Sequence, residues 1–167
     1  MSRETIYKGR IVNLVLEDAK WEIVEHQPAV GILAVQDGKM MCVRQLRRAA
    51  GVHTLEVPAG IIDAGESPIQ AAAREFAEEA RLAGDLELIS SFYASPGFTD
   101  ELIYLFRATN LRTAHGERDE DEDGIELVWI EPERFLEGVK TRTIHSSGPA
   151  VVAAMHALLD LRGLEAK

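Results

Sequence analysis

The chain has 167 residues and a mass of 18.4 kDa, enough for one domain that buries about 70% of its unfolded surface, so neither a disulfide nor a structural metal is required to hold it. Its formal charge is −10, from 18 Lys and Arg against 28 Asp and Glu, which repels phosphate backbones and argues against stable binding to long nucleic acid. No apolar run approaches the roughly 18 residues that a membrane span requires; the single Cys42, set between Met41 and Val43, is expected to be a buried, inert thiol, and with no basic leader ahead of an apolar core the expected location is cytoplasmic.

The chain opens on strand signals. Ile6, then Ile11 to Leu16, then Trp21 to His26 alternate apolar and polar residues around a turn at Glu17-Asp18-Ala19-Lys20, which predicts a small antiparallel sheet. So small a sheet is marginal alone and needs another surface to cover it. Trp21 is either core or a ring that stacks on a planar base. Val30 to Val35 reads as an apolar strand, Asp37-Gly38 as a type I′ hairpin, and the return strand runs through Val43.

That strand ends in Arg44, Gln45, Arg47 and Arg48. These form either a solvated edge or a clamp for phosphate and ribose. The clamp is the favoured alternative, because the short strand Thr54 to Pro58 leads straight on to the next helix and brings both groups toward one place. Glu56 on that strand is an edge charge or a polar contact in the cleft.

The stretch Gly60 to Leu82, GIIDAGESPIQAAAREFAEEARL, carries more specification than any other. Ser67, Pro68 and Gln70 read as N-cap, N1 and N3, so a helix should begin at Pro68. Ile69, Ala72, Phe76 and Ala80 fall on one side, expected to be core; Ala71, Glu75, Glu78, Glu79 and Leu82 fall on the other. Like charges one turn apart cost about 0.2–0.5 kcal/mol per pair unless neutralised. A hard divalent cation would offset that cost, since Mg2+ prefers carboxylate oxygens and shares its remaining positions with water and substrate phosphates. Arg74 can orient a carboxylate. The plain alternative is a solvated acidic face with Arg74 as its counter-charge.

Gly60, five residues, Glu66, seven residues, Arg74-Glu75-Phe76, one residue, Glu78-Glu79, one residue, Arg81-Leu82 resembles the signature of the Nudix hydrolases, G-x5-E-x7-R-E-U-x-E-E-x-G-U. Every position matches except the second glycine, where Arg81 stands. The resemblance implies a loop, helix, loop unit that binds Mg2+ or Mn2+ beneath the pyrophosphate of a nucleoside diphosphate linked to another group. It implies Glu75 and Glu79 as principal ligands, Glu78 and Glu66 as their helpers, the carbonyl of Ala59 as a further ligand, and Arg74 as the residue that holds the glutamates. Glycine past a helix end normally takes the left-handed conformation, so either Arg81 bears that strain or the helix runs on to Gly84.

Beyond the helix, Leu86 to Tyr93 and Glu101 to Ala108 read as strands joined by the loop Ser95 to Asp100. The stretches EHQPAVGILAV, VRQLR, LEVPAG and SPGFTDE are similar to the ADP-ribose pyrophosphatase branch of the Nudix family, in which a proline lies a fixed distance past the signature; Pro96 matches it. The run Arg118 to Gly124, RDEDEDG, has calcium-loop spacing at its start but lacks the closing glutamate and is followed by a strand pattern, Ile125 to Trp129, so a calcium loop is rejected. It is either solvated charge or the source of a general base. The resemblance places the base here, with Glu122 the first choice and Glu120 the second.

The remaining chain reads as a short helix from Glu131-Pro132 ended by Gly138, then a longer one opened by Ser147, Gly148 and Pro149 with Val151, Val152, Met155, Leu158 and Leu159 as its buried stripe. No CxxC, nucleophilic triad or Gly-rich phosphate loop is present in the sequence. The pattern is α+β, a mixed sheet between helices, and it resembles the Nudix α/β/α sandwich with a small N-terminal antiparallel sheet over residues 5 to 160. The expected division is residues 1–28 as a β extension for dimerisation and 29–167 as the catalytic domain. The resemblance implies a homodimer acting on a small nucleotide diphosphate, with Mg2+ or Mn2+ as cofactor. The expected reaction is hydrolysis of ADP-ribose to AMP and ribose 5-phosphate. Arg44 and Arg47 would hold diphosphate or terminal ribose, and Trp21 would be a weaker candidate for adenine stacking.

Overall fold

The structure is a computed structural model, and it describes residues 2–115 and 124–164. Among these, β1 (Arg3–Lys8), β2 (Val12–Glu17) and β3 (Trp21–His26) form a three-stranded antiparallel sheet. A second, seven-stranded sheet contains β4 (Ala29–Gln36), β5 (Lys39–Arg47), β6 (Val52–Glu56), β7 (Ala59–Ile61), β8 (Leu82–Tyr93), β9 (Leu102–Thr113) and β10 (Glu126–Ile130). Its main path runs β10-β5-β4-β9-β8, with β6 beside β5 and β7 beside β4. The β4–β9 pair is parallel and the other pairs are antiparallel, which makes the sheet mixed.

Alternation along β4 sends side chains to both faces, and both are covered. Val30, Ile32 and Ala34, with Met41, Phe106 and Ala108, pack against Ala72, Phe76 and Ala80 of α1 (Pro68–Ala80). On the other face Leu33, Met40, Cys42 and Leu105 meet Phe135 of α2 (Pro132–Lys140) and the alanines of α3 (Gly148–Leu161). The result is an α/β/α sandwich. Cys42 is fully buried, and burial pushes its thiol up to about 12, which suits an inert core residue.

Local chemistry explains the joints. Asp37 and Gly38 have φ of 51° and 74°, the pair of left-handed residues that a type I′ turn requires. Gln70 reaches back to accept from the Ser67 N–H at 2.9 Å, closing the start of α1 as its cap residues predict. The helix stops at Ala80, and Arg81 takes φ 57°, ψ 30°. The first of the two alternatives therefore holds: an arginine bears the left-handed conformation.

Four expectations change. Ile69 is 49% exposed, and Ala71 is the residue of the first turn of α1 packed in the core. Trp21 is 54% exposed with Lys20 Nζ 4.4 Å from its ring centroid, so it is not core. Gly138 lies inside α2, which continues to Lys140, and a Cβ there would meet Ile144 at 2.5 Å; the glycine permits close packing rather than ending the helix. In α3 the buried stripe is Ala150, Ala153, Ala154 and Ala157, while Met155 and Leu159 are exposed and Val151, Val152 and Leu158 only partly covered. Small residues let the helix axis approach the sheet, and the larger side chains flank the contact.

The two sheets meet at one seam. Val24 of β3 bridges Thr99 in the loop before β9, with Val24 N–H donating to the Phe98 carbonyl at 2.7 Å. His26 N–H donates to Asp100 Oδ1 at 2.8 Å.

Replacing Arg81 by Gly removes the Cβ clash of the left-handed conformation, partly offset by greater freedom in the unfolded chain. The expected gain is about 0.5–1 kcal/mol, read as a higher urea midpoint at unchanged m-value.

Candidate active site

The carboxylates of α1 do not face open solvent. Glu75 and Glu79 are 8% and 5% exposed, because α1 lies across β7 and that turn of helix sits on the backbone of Ala59 and Gly60. Glu79 Oε2 accepts the Ala59 N–H at 2.9 Å. A Cβ at Gly60 would collide with the Glu75 carboxylate, so glycine is needed there for room.

Arg74 organises the cluster. Nε donates to Glu66 Oε1 at 3.1 Å and Nη2 to Glu66 Oε2 at 3.0 Å. Nη1 donates to Glu75 Oε1 at 2.7 Å and to Glu78 Oε2 at 3.1 Å, and Nη2 to the Ile61 carbonyl at 3.0 Å. All five guanidinium N–H groups thus have acceptors. The hydrogen bonds to Glu66, then those to Glu75 and Glu78, raise Arg74 well above its ordinary range against the opposing cost of burial. The same bond from Arg74 holds the Glu66 carboxyl below the usual carboxylate range.

Residue types here fit a hard cation: every donor is an oxygen, and two of the carboxylates are more than nine-tenths buried on a backbone cradle with no room for a Cβ. Among the described residues no three carboxylates converge on one point; the Arg74 guanidinium lies between Glu66, Glu75 and Glu78 and supplies the positive charge.

Ala59, Gly60 and Ile61 also line a cavity of about 630 Å³. Arg47 and Glu56 form one wall, His26 and Glu101 another, and Ser147, Gly148 and Pro149 at the start of α3 a third. Arg47 binds Glu56 through Nε to Oε1 at 2.7 Å and Nη2 to Oε2 at 2.9 Å. Burial alone would raise the Glu56 carboxyl, but the hydrogen bonds from Arg47 and Thr54 outweigh it and the net direction is down. None of the α1 glutamates lines this cavity, nor a hollow of about 510 Å³ near Arg107 and Asp160, where the arginine is paired with Asp160 at 2.6 Å.

The other candidates are placed as follows. Arg44 and Arg47 are three residues apart on a strand, hence on opposite faces; Arg44 pairs with Glu126 at 3.1 Å and does not line the cavity. Trp21 and Pro96 are exposed and lie outside its lining as well. Glu120 and Glu122 fall outside the described residues. Sequence reasoning missed His26, Glu101 and Ser147 as cavity residues. Glu101 sat within the SPGFTDE stretch, which was a usable signal; Ser147 was readable only as a helix cap.

Fold and site together define a class, a mixed sheet between helices with a loop, helix, loop carboxylate unit seated on the strand that lines the cavity, and comparison with known proteins agrees. The NUDIX domain profile matches residues 25–150. ADP-ribose pyrophosphatase of Bacillus subtilis (strain 168) is 36% identical over 161 residues, covering 90% of this chain and 87% of that protein. The methanol dehydrogenase activator of Bacillus methanolicus is 33% identical over 168 residues, covering 94% and 90%. A solved structure described as an ADP compounds hydrolase superposes with a TM-score of 0.73 at 18% identity, covering 99% of this chain and 95% of that one, a likeness of fold. The chain belongs to the Nudix hydrolase family and lies on its ADP-ribose pyrophosphatase branch.

Glu56 and Glu66 both have lowered pKa values in the folded chain, so their contribution to stability is present above the unfolded glutamate value of about 4.3 and is lost as pH falls through the folded values. The melting temperature should therefore drop steeply below about pH 4, and Glu66→Gln should flatten part of that slope in calorimetry.

Proposed function

We propose that the protein hydrolyses the pyrophosphate bond of ADP-ribose, giving AMP and ribose 5-phosphate. The observation that carries this reading is the seating of Glu75 and Glu79 on the backbone of Gly60 and Ala59, two residues of the strand that lines a cavity whose wall presents Arg47. Its relatives named for ADP-ribose cleavage support the choice of substrate.

Glu75 and Glu79, with Glu78, Glu66 and the Ala59 carbonyl, would hold Mg2+ or Mn2+. A bound ion of that kind supplies charge neutralisation at the diphosphate and a lowered pKa for water. Arg74 holds Glu66, Glu75 and Glu78 in register, and the Ala59 N–H holds Glu79. Arg47 binds a diphosphate oxygen or the terminal ribose; Arg44 is paired with Glu126 on the opposite face of β5. The water attacks one phosphorus, the P–O bond to the departing phosphate breaks, and the water's proton passes to a carboxylate of the acidic run, Glu122 first and Glu120 second.

The N-terminal sheet, residues 1–28, serves dimerisation in this reading. All of β1 is exposed, and Ile6, Tyr7, Ile11 and Trp21 present apolar surface at 52, 59, 48 and 54% exposure, more than a lone three-stranded sheet leaves bare without a partner. Trp21 would then stack on adenine from the second subunit. No described helix is long and apolar enough to cross a membrane, and the charge of −10 disfavours a nucleic-acid partner.

The decisive measurement is a substrate panel of ADP-ribose, other nucleotide sugars, dinucleoside polyphosphates and nucleoside triphosphates, with Mg2+, with Mn2+ and with chelator. AMP and ribose 5-phosphate should appear from ADP-ribose fastest and vanish with chelator, and Glu79→Gln should lower kcat by at least about 100-fold. Preferential cleavage of another panel member would reassign the substrate; a Glu79→Gln protein as fast as the wild type would sink the role of this helix. Light scattering should return twice the 18.4 kDa chain mass, and a monomer would remove the dimer and the shared adenine contact.

A further inference from the structure

One group in the cavity wall has no part in the reaction just described. Glu56 is 5% exposed, so more than nine-tenths buried, yet it lines a cavity proposed to hold a polyanion. A bare carboxylate there would repel a diphosphate and bear the full cost of lost hydration. It is not bare. Arg47 donates to both of its oxygens at 2.7 and 2.9 Å, and the Thr54 hydroxyl donates to Oε1 at 2.6 Å. An ionised carboxylate has about four lone-pair sites, and these three bonds take both sites of Oε1 and one of Oε2.

The arginine is in the reverse condition. Binding Glu56 engages Nε and one N–H of Nη2, and of the five guanidinium donors three remain. The strand register shows how the pair is built: Gln45 faces Thr54 and Val43 faces Glu56 across the β5–β6 ladder, so Arg47, two residues further along the same face, lies back over Thr54 to reach Glu56. Two parallel N–H···O bonds fix the plane of a guanidinium as a single bond does not. On the far side Ser146 Oγ donates to the Leu55 carbonyl at 2.7 Å and Leu55 N–H donates to the His145 carbonyl at 2.9 Å, so the segment entering α3 is zipped to β6 beside the same carboxylate.

We propose that Glu56 is a positioning residue: held by Thr54 and by two bonds from Arg47, it acts through Arg47, locking the guanidinium in the plane from which its remaining N–H groups bind the diphosphate or terminal ribose. The proposal rests on the reading of Arg47 given above. It predicts that the effect of losing Glu56 exists only while Arg47 is present.

The test is a double-mutant cycle on ADP-ribose hydrolysis with Glu56→Gln, Arg47→Ala and the pair, each checked by thermal melt to be folded at the assay temperature. Glu56→Gln should raise KM about tenfold with little change in kcat, Arg47→Ala should raise it at least as much, and the double variant should match Arg47→Ala alone. Additive effects, or an unchanged KM in Glu56→Gln beside a raised KM in Arg47→Ala, overturn the positioning role and leave the reading of Arg47 intact. An unchanged KM in Arg47→Ala overturns both. If Glu56→Gln does not fold, Glu56→Asp keeps the charge, falls one methylene short of the two-bond contact, and should give the same raised KM and the same silence in the Arg47→Ala background.

Discussion

The site depends on one cation supplied by the chain itself. Glu66, Glu75 and Glu78 gather within reach of a single guanidinium, and without Arg74 their mutual repulsion would splay the loop before α1 away from the helix. With it, the loop is fastened at Glu66, the helix at Glu75 and Glu78, and β7 at the Ile61 carbonyl. Three consecutive segments, strand, loop and helix, are thereby held to one point. The absence of a Cβ at Gly60 lets the Glu75 carboxylate settle on the strand, and the Ala59 N–H anchors Glu79. Polar satisfaction and packing act on the same few residues, which is why so short a stretch dominates the architecture.

A second polar anchor repeats the device across the cleft. There the carboxylate is the hub and the arginine the spoke: Glu56 gathers Arg47 and Thr54. The two anchors treat charge in opposite ways. Around Arg74 three acids share one base and the local balance is negative, which suits a cation; around Glu56 one acid is matched by one base, so the wall neither attracts nor repels strongly except through the donors Arg47 has left.

Much of this was legible in the residues. The cap at Ser67, the hairpin at Asp37-Gly38 and the strand alternation of β4 obey local rules, and the structure follows them. The glutamate unit was readable because its spacing is long and particular. What could not be read depends on which neighbour lies closest. The face of α3 was assigned to its largest apolar residues, whereas the close approach to the sheet selects Ala150, Ala153, Ala154 and Ala157; hydrophobicity does not report interaxial distance. Gly138 was taken as a stop because nothing in its vicinity announces Ile144. Arg44 and Arg47 look like one cluster along the chain, and only the two-residue period of a strand separates their faces.

The seam between the two sheets is written largely in main-chain atoms: Val24 and Phe98 exchange no side-chain chemistry, and Thr99 joins by backbone alone. Apart from Asp100, whose carboxylate reaches the His26 amide, the loop can change its side chains without loosening the joint. The N-terminal sheet is thus joined to the cleft by a fastener that is main-chain except at Asp100 and at Glu101, whose carboxylate lies 3.7 Å from His26 Nδ1, and the outward rings of Tyr93 and Phe98, both more than half exposed, are at liberty to be shaped by whatever surface they meet.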